Sequence, residues 1–349
     1  MQNEITITRP DDFHLHLRDG EMLKFVLQHT APVFKRAIAM PNLKPPVITL
    51  DDAINYRRRI LDNLPQNCDF EPLMTIYLTE NHKPADIEIF AKSGVVKAVK
   101  LYPSKATTNS EHGVGDFDKI IPVLETMAKE NIPLLIHGES VDAEIDVFDK
   151  EKHFIETVLD KKLRKVSGLK IVLEHITTKE AVDFVFENDG ICATVTPHHL
   201  LMNRNAIFDG GINPHNYCLP VLKHEKHRQA LLEAIARPSN KLFLGTDSAP
   251  HPRSVKENSC GYGGIYSSFA ALALYAEAFE EAGALANFEN FCSKNGADFY
   301  GLPQNTGKIT LVRENWTAPN EFLVGSGISV VPIRAGKNIT WKVKNSSEN

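Results

Sequence analysis

Val96-Lys97-Ala98-Val99-Lys100-Leu101-Tyr102 is a short, β-branched run; an amphipathic stretch over residues 116–130 follows it, and then a second apolar run, Leu134-Leu135-Ile136-His137. A strand, a helix and a strand with no hairpin between them read as two parallel strands joined by a right-handed crossover. Outward in both directions the same unit recurs. Strands are expected over residues 5–16, 37–41, 73–78, 96–102, 134–137, 171–175, 192–196 and 242–246. Helices are expected over 51–63, 84–93, 116–130, 150–159, 178–188, 225–237 and 267–282, with a short one over 22–28. Eight alternations are what closes a barrel, so the expected fold is α/β, a (β/α)8 TIM-type barrel of eight parallel strands. An open doubly wound sheet is the competing architecture, and it would want a G-x-G-x-x-G turn after the first strand, where none stands.

Beyond Pro303 the pattern changes. Residues 308–312 and 339–343 look like strands, with Trp316 and Phe322 between them, and a short C-terminal extension over 304–349 is expected to pack outside a barrel over 1–303, the whole forming a single domain. The 349 residues are 42% hydrophobic and 24% charged, an ordinary globular composition with ample material for a large core. A net charge of −5 gives no global electrostatic reason to bind nucleic acid or an anionic membrane. Met1 to Pro10 carries Glu4 and alternating Ile5 and Ile7 where a signal peptide would need a basic start and an unbroken apolar run, and no stretch is apolar enough to span a bilayer. The expected location is the cytoplasm. Cys68, Cys192, Cys218, Cys260 and Cys292 are widely spaced without a C-x-x-C pair, which reads as reduced thiols. In a cytosolic chain the acceptor patterns at Asn315, Asn338 and Asn345 are chance matches.

Residues that bind or react on such a barrel gather at the C-terminal strand ends. The first expected strand ends at His14-Leu15-His16, the fourth at Lys100, the fifth at His137, the sixth at Glu174-His175 and the eighth at Thr246-Asp247. Two histidines at i and i+2 point to one face of a strand and suit chelation of a single ion. Alone, such a pair is commonplace, and among the fourteen histidines His29, His82 and His153 are expected to be merely solvated. With His137, His175 and Asp247 at equivalent heights on other strands, a catalytic metal site becomes the leading reading. Lys100 is the odd member: an ion pair at the barrel rim is one account, and a neutral amine carboxylated by carbon dioxide into an anionic bridging ligand is the other.

Arg9 to Gly20, Met40-Pro41-Asn42-Leu43, Lys100-Leu101-Tyr102-Pro103, Ile136 to Glu139, Glu174 to Thr178 and Gly245 to His251 closely resemble the shorter, bacterial class of dihydroorotase in the amidohydrolase superfamily, in order and over nearly the whole chain. That resemblance implies a pair of zinc ions. His14, His16 and Asp247 would hold the more buried ion and His137 and His175 the outer one, with Lys100 as N6-carboxylysine bridging both. Arg18, Asn42 and His251 match contacts to a substrate carboxylate, the backbone at Leu219 and Gly263 would face the substrate ring beside His137, and Thr107 and Thr108 match the tip of a mobile loop. The implied reaction interconverts L-dihydroorotate and N-carbamoyl-L-aspartate in pyrimidine synthesis. A hydroxide shared by the metals would attack, with Asp247 as general base and acid; a homodimer is implied as well.

Two rivals remain at this point, and a third falls away. Another cyclic amidohydrolase, such as a hydantoinase, or a deaminase, shares the metal motif. A barrel without chemistry, serving as a binding partner, would not need every ligand position filled with a competent residue. Nucleic-acid binding fails on charge and on the lack of an aromatic and basic stripe.

Overall fold

A computed structural model of the chain describes residues 3–344. Among them, β2 (Asp12–Leu15), β3 (Arg36–Ala39), β4 (Glu71–Tyr77), β5 (Val96–Leu101), β6 (Leu134–Ile136), β7 (Ile171–Leu173), β8 (Ile191–Val195) and β9 (Leu242–Leu244) form one sheet in sequence order, every ladder parallel. The seam between β9 and β2 is closed by a Leu15–Ser248 bridge and by the Asp247 amide donating to the His14 carbonyl at 2.9 Å. The expected (β/α)8 barrel is therefore the fold, with a helix after each of the eight strands.

The expected strand over 5–16 is two strands. β1 (Glu4–Thr8) leaves the barrel and pairs antiparallel with β10 (Lys308–Thr317), which also pairs with β13 (Asn338–Val343). Pro10 supplies the break, since it carries no N–H to donate to a continuous ladder. The appended sheet is thus built from both chain ends, with Ile5, Ile7, Leu311 and Trp341 buried in its core, and it is fastened to α10 (Ala271–Glu281) where the Thr340 amide donates to Glu277 at 2.7 Å. The last residues of the expected extension and the Asn345 pattern lie outside the described residues. Helix 116–130 begins later, as α4 (Ile121–Lys129), with Pro122 in its first turn; α10 likewise starts beyond the expected residue 267, and α1 (Gly20–Thr30) is longer than expected.

Two apolar clusters divide the molecule. One lies between the sheet and the helices; the smaller fills the barrel interior with Phe13, Ile38, Met40, Leu73, Ala98, Leu135, Val172 and Phe243. Phe13 stacks on Tyr300 at 5.1 Å, an approach that depends on Gly296, where a Cβ would stand 2.1 Å from the Phe13 ring. Below this plug, Arg36 forms a bidentate pair with Asp11 (3.0 and 2.6 Å) and also donates to the Pro303 carbonyl, while Asn305 donates to Asp11 at 2.9 Å. Both charged groups are buried. Arg36→Met strands the Asp11 carboxylate in the barrel floor and is expected to destabilise the fold by about 3–5 kcal/mol. A thermal melting point unchanged from the parent would refute that.

None of the three histidines expected to be solvated is exposed. His82 is buried, its Nε2 against the Ile48 carbonyl at 3.0 Å; His29 bonds the Tyr266 hydroxyl and His153 the Ser140 hydroxyl. All five cysteines are unpaired.

Candidate metal centre

Strand alternation carries the site. Ala98, Leu135 and Val172 point into the barrel, so the residues two further on, Lys100, His137 and Glu174, point the same way one layer higher. By that rule Glu174, and not His175, is the inward residue of its strand. His175 reaches the cavity because its backbone is left-handed (φ 44°); Asp247 (φ 44°) and Arg18 (φ 61°) share that unfavourable conformation. Three strained non-glycine residues on one barrel mouth are a mark of function. In β2 a bulge between Asp12 and Leu15 disturbs the alternation: Phe13 joins the interior plug, Leu15 packs outside, and both histidines reach the mouth. Asp12 anchors this bulge, accepting from the His14 amide (3.1 Å) and from the amide and hydroxyl of Thr246 (2.9 and 2.6 Å). Gly245 makes room, since a Cβ there would lie 2.7 Å from Thr194 and 3.0 Å from the His14 side chain.

The ligand atoms converge. His14 Nε2 and His16 Nε2 are 3.4 Å apart, with Asp247 Oδ1 at 3.2 and 3.0 Å from them. His137 Nδ1 and His175 Nε2 face each other at 3.3 Å, and His137 is oriented from behind by Glu139 at 3.0 Å. Donors bound tetrahedrally to one zinc ion at roughly 2.0–2.1 Å would stand about 3.3–3.4 Å apart. Ring nitrogens that face one another, and a carboxylate oxygen, over such spans are an arrangement that a cation between them satisfies. The residues fit the metal that the sequence implies.

Lys100 is buried against Glu174 rather than at the rim. Glu174 also faces His14 Nδ1 at 2.9 Å, close enough for an ion pair but without hydrogen-bond alignment. Burial pulls the Lys100 ammonium down, against the opposing pull of Glu174. Burial also opposes charge on His14, yet Glu174 and then Asp247 overcome it and lift the ring to about 9. Asp247 and Glu174 are held low in spite of burial, mainly by His14. Two buried carboxylates thus compete for positive charge, a further sign of a centre built around cations. Glu174 did not emerge as a functional residue from the sequence, although its spacing from Val172 places it inward.

Above this cluster lies a small cavity lined by His14, His16, Arg18, Asn42, Tyr102, Thr107, Thr108, His137, His175, Leu219, Asp247, Ala249, Gly263 and Gly264. Lys100 sits outside the lining, on Glu174. His251 joins it through Arg18, whose Nη2 donates to His251 Nε2 at 2.9 Å. Burial and then Arg18 hold His251 down at about 2, so it stays a neutral acceptor. Asn42 donates to the Thr108 carbonyl (3.2 Å) and Asn109 to the Asn42 carbonyl (3.0 Å), which docks the threonine loop over the cavity. Lys256, also unremarked in the sequence, is buried and donates to the carbonyls of Tyr217, Tyr262 and Gly264, tying together the two backbone segments that line the far wall.

The chain matches the amidohydrolase family over residues 11–311. It is 58% identical to a dihydroorotase of Acaryochloris marina across 341 residues, 97% of this chain and 99% of that one. The crystal structure of a Campylobacter jejuni dihydroorotase superposes with a TM-score of 0.90 at 34% identity, covering 99% of both chains. A Saccharomyces cerevisiae dihydroorotase in complex with 5-fluoroorotic acid gives 0.90 at 32% identity, covering 98% of this chain and 99% of that one.

Proposed function

Because the chain belongs to the dihydroorotases of the amidohydrolase family, and so is a hydrolase acting on a cyclic amide in pyrimidine biosynthesis, we propose that its barrel mouth opens and closes the dihydroorotate ring at a pair of zinc ions. His14, His16 and Asp247 would hold one ion and His137 and His175 the other, with a carboxylated Lys100 as a further anionic ligand. The observation that carries this reading is the convergence of those ring nitrogens and of Asp247 Oδ1 at tetrahedral edge distances. When bound, the ions supply an acidified water and draw charge from the substrate carbonyl.

This chain's own residues do the rest. Arg18 offers a planar fork to the substrate carboxylate, with Asn42 and His251 beside it. The backbone at Leu219 and Gly263 flanks the ring, and the yeast relative's complex with a pyrimidine carboxylate supports a ligand of that class. Thr107 and Thr108 close the mouth and exclude water. Asp247 takes a proton as the water oxygen attacks and returns it to the departing ring nitrogen. Carboxylation of Lys100 would leave Glu174 to His14 alone. Among the described residues no helix is long and apolar enough to cross a membrane, which accords with an enzyme of the cytosol.

The test is ring opening by the purified protein, with and without chelator, read beside its zinc content. Activity is expected to vanish with the metal and return with zinc, and dihydroorotate to be preferred over hydantoin. Thr107→Ala with Thr108→Ala should lower kcat/KM about 100-fold, the scale of a lost positioning contact. Full activity in chelator sinks the metal assignment, and unchanged kinetics in the double variant removes the loop.

A further inference from the structure

A second cluster of metal-ligating side chains stands behind the Leu219 wall. Thr196 caps α7 (Pro197–Leu201), accepting from the His199 amide at 3.1 Å, and so sets His198 and His199 side by side at the end of β8. Residues 202–224 then wander through two short 3-10 turns before the next helix, and bring Cys218 back beneath His199. His198, His199 and Cys218 are all buried, and one ligand atom from each lies within 4.8 Å of the others. His199 Nε2 and Cys218 Sγ are 3.7 Å apart, close to the roughly 3.6 Å edge of a zinc tetrahedron with one nitrogen and one sulfur donor. The Pro220 carbonyl oxygen, 3.0 Å from that nitrogen and 3.2 Å from that sulfur, is placed as a further donor.

The independent sign of a ligand is His198. Both of its ring nitrogens are buried without a hydrogen-bond partner, an outcome that folded proteins avoid unless something fills the gap. His199 has the outer support that metal-bound imidazoles show, with Nδ1 2.7 Å from the Thr196 hydroxyl.

We infer that His198, His199 and Cys218 form a further metal site, holding one zinc-class divalent cation with the Pro220 carbonyl. Binding releases the Cys218 thiol proton to solvent, and His199 carries its remaining proton on Nδ1, donated to Thr196, while Nε2 turns to the ion. With no position left for water, the site is structural. It pins Cys218 from one side while Lys256 holds the Tyr217 carbonyl from another, and between them they fix the backbone of Leu219 at the cavity wall.

Zinc-loaded wild-type protein, dialysed free of excess metal, separates this site from the catalytic pair, because only this one offers sulfur. X-ray absorption at the zinc edge is expected to show a sulfur neighbour at about 2.3 Å. Elemental analysis should find one more zinc per chain in the wild type than in Cys218→Ser or His198→Gln, and the cobalt-substituted protein should lose its thiolate charge-transfer band in Cys218→Ser. Zinc without a sulfur neighbour in the wild type overturns the proposal and leaves the binuclear reading standing; so does a sulfur neighbour that survives in Cys218→Ser. A sulfur-bound zinc in a chain with no nitrogen- and oxygen-bound zinc supports this site and sinks the binuclear reading instead.

Discussion

Asp247→Asn is expected to lower kcat for dihydroorotate by roughly 10³- to 10⁴-fold, with little change in substrate affinity or zinc content. In free-energy terms that is a barrier higher by about 4–5.5 kcal/mol. Asp247 Oδ1 faces both His14 and His16, so an amide oxygen in its place can still complete that ligand set. What the amide cannot do is accept the proton of the attacking water and hand it to the leaving nitrogen. Metal loss is the competing cause of a dead enzyme, and zinc analysis of the variant separates the two. An Asn variant that turns over near the parent rate, fully metallated, would remove Asp247 from proton transfer. The left-handed backbone at Asp247 adds a second check: asparagine tolerates that conformation about as well as aspartate, so the fold should not suffer.

How much of this could be read from the sequence follows from the range over which each signal acts. Lys100 and His137 were legible from their places at strand ends, and alternation, which is local, agrees: with Ala98 and Leu135 inward, the residues two further on are inward too. Alternation could not bring His175 to the site, because the turn that does so is a backbone conformation fixed by the fold; Glu174 lay within its reach, two residues from Val172, but its partners Lys100 and His14 stand on other strands and no local signal marked it as functional. Pro10 was a local signal for ending the first run, but the partner that turns residues 4–8 into a separate strand is β10, some three hundred positions away. His82 looked like a surface residue because the Ile48 carbonyl that satisfies it lies on another connection. The pairing of Cys218 with His199 spans a long irregular loop, so a search for closely spaced cysteines had nothing to find. Function was more legible than structure here, since six motif blocks identify a family even where no single contact can be foreseen.

Lys100→Ala is the larger perturbation and the sharper test of the bridge. With Asp247 committed to His14 and His16, the buried pair Lys100 and Glu174 is left to supply an anion between the ions, one after carboxylation and the other as it stands. If the carbamate is the bridge, the alanine variant should hold fewer than two zinc ions per chain and lose about 10⁴-fold or more in kcat, because shared activation of one water needs both ions. Short carboxylic acids such as acetate should restore part of both, filling the space of the missing side chain with a two-oxygen anion. If Glu174 is the bridge, the alanine variant keeps two zincs without any added acid, and Glu174→Gln becomes the variant that loses them. The geometry favours the carbamate for a charge reason: Glu174 already faces His14, and a metal ligand is most effective when its other ring nitrogen is oriented by such a carboxylate. Glu174 turned away to bridge two ions would leave His14 Nδ1 buried and unsupported. Glu174→Gln is therefore expected to keep both zincs and lower activity only about 10- to 100-fold, the range for loss of an orienting partner. Two zincs in Lys100→Ala together with none in Glu174→Gln would reverse the assignment.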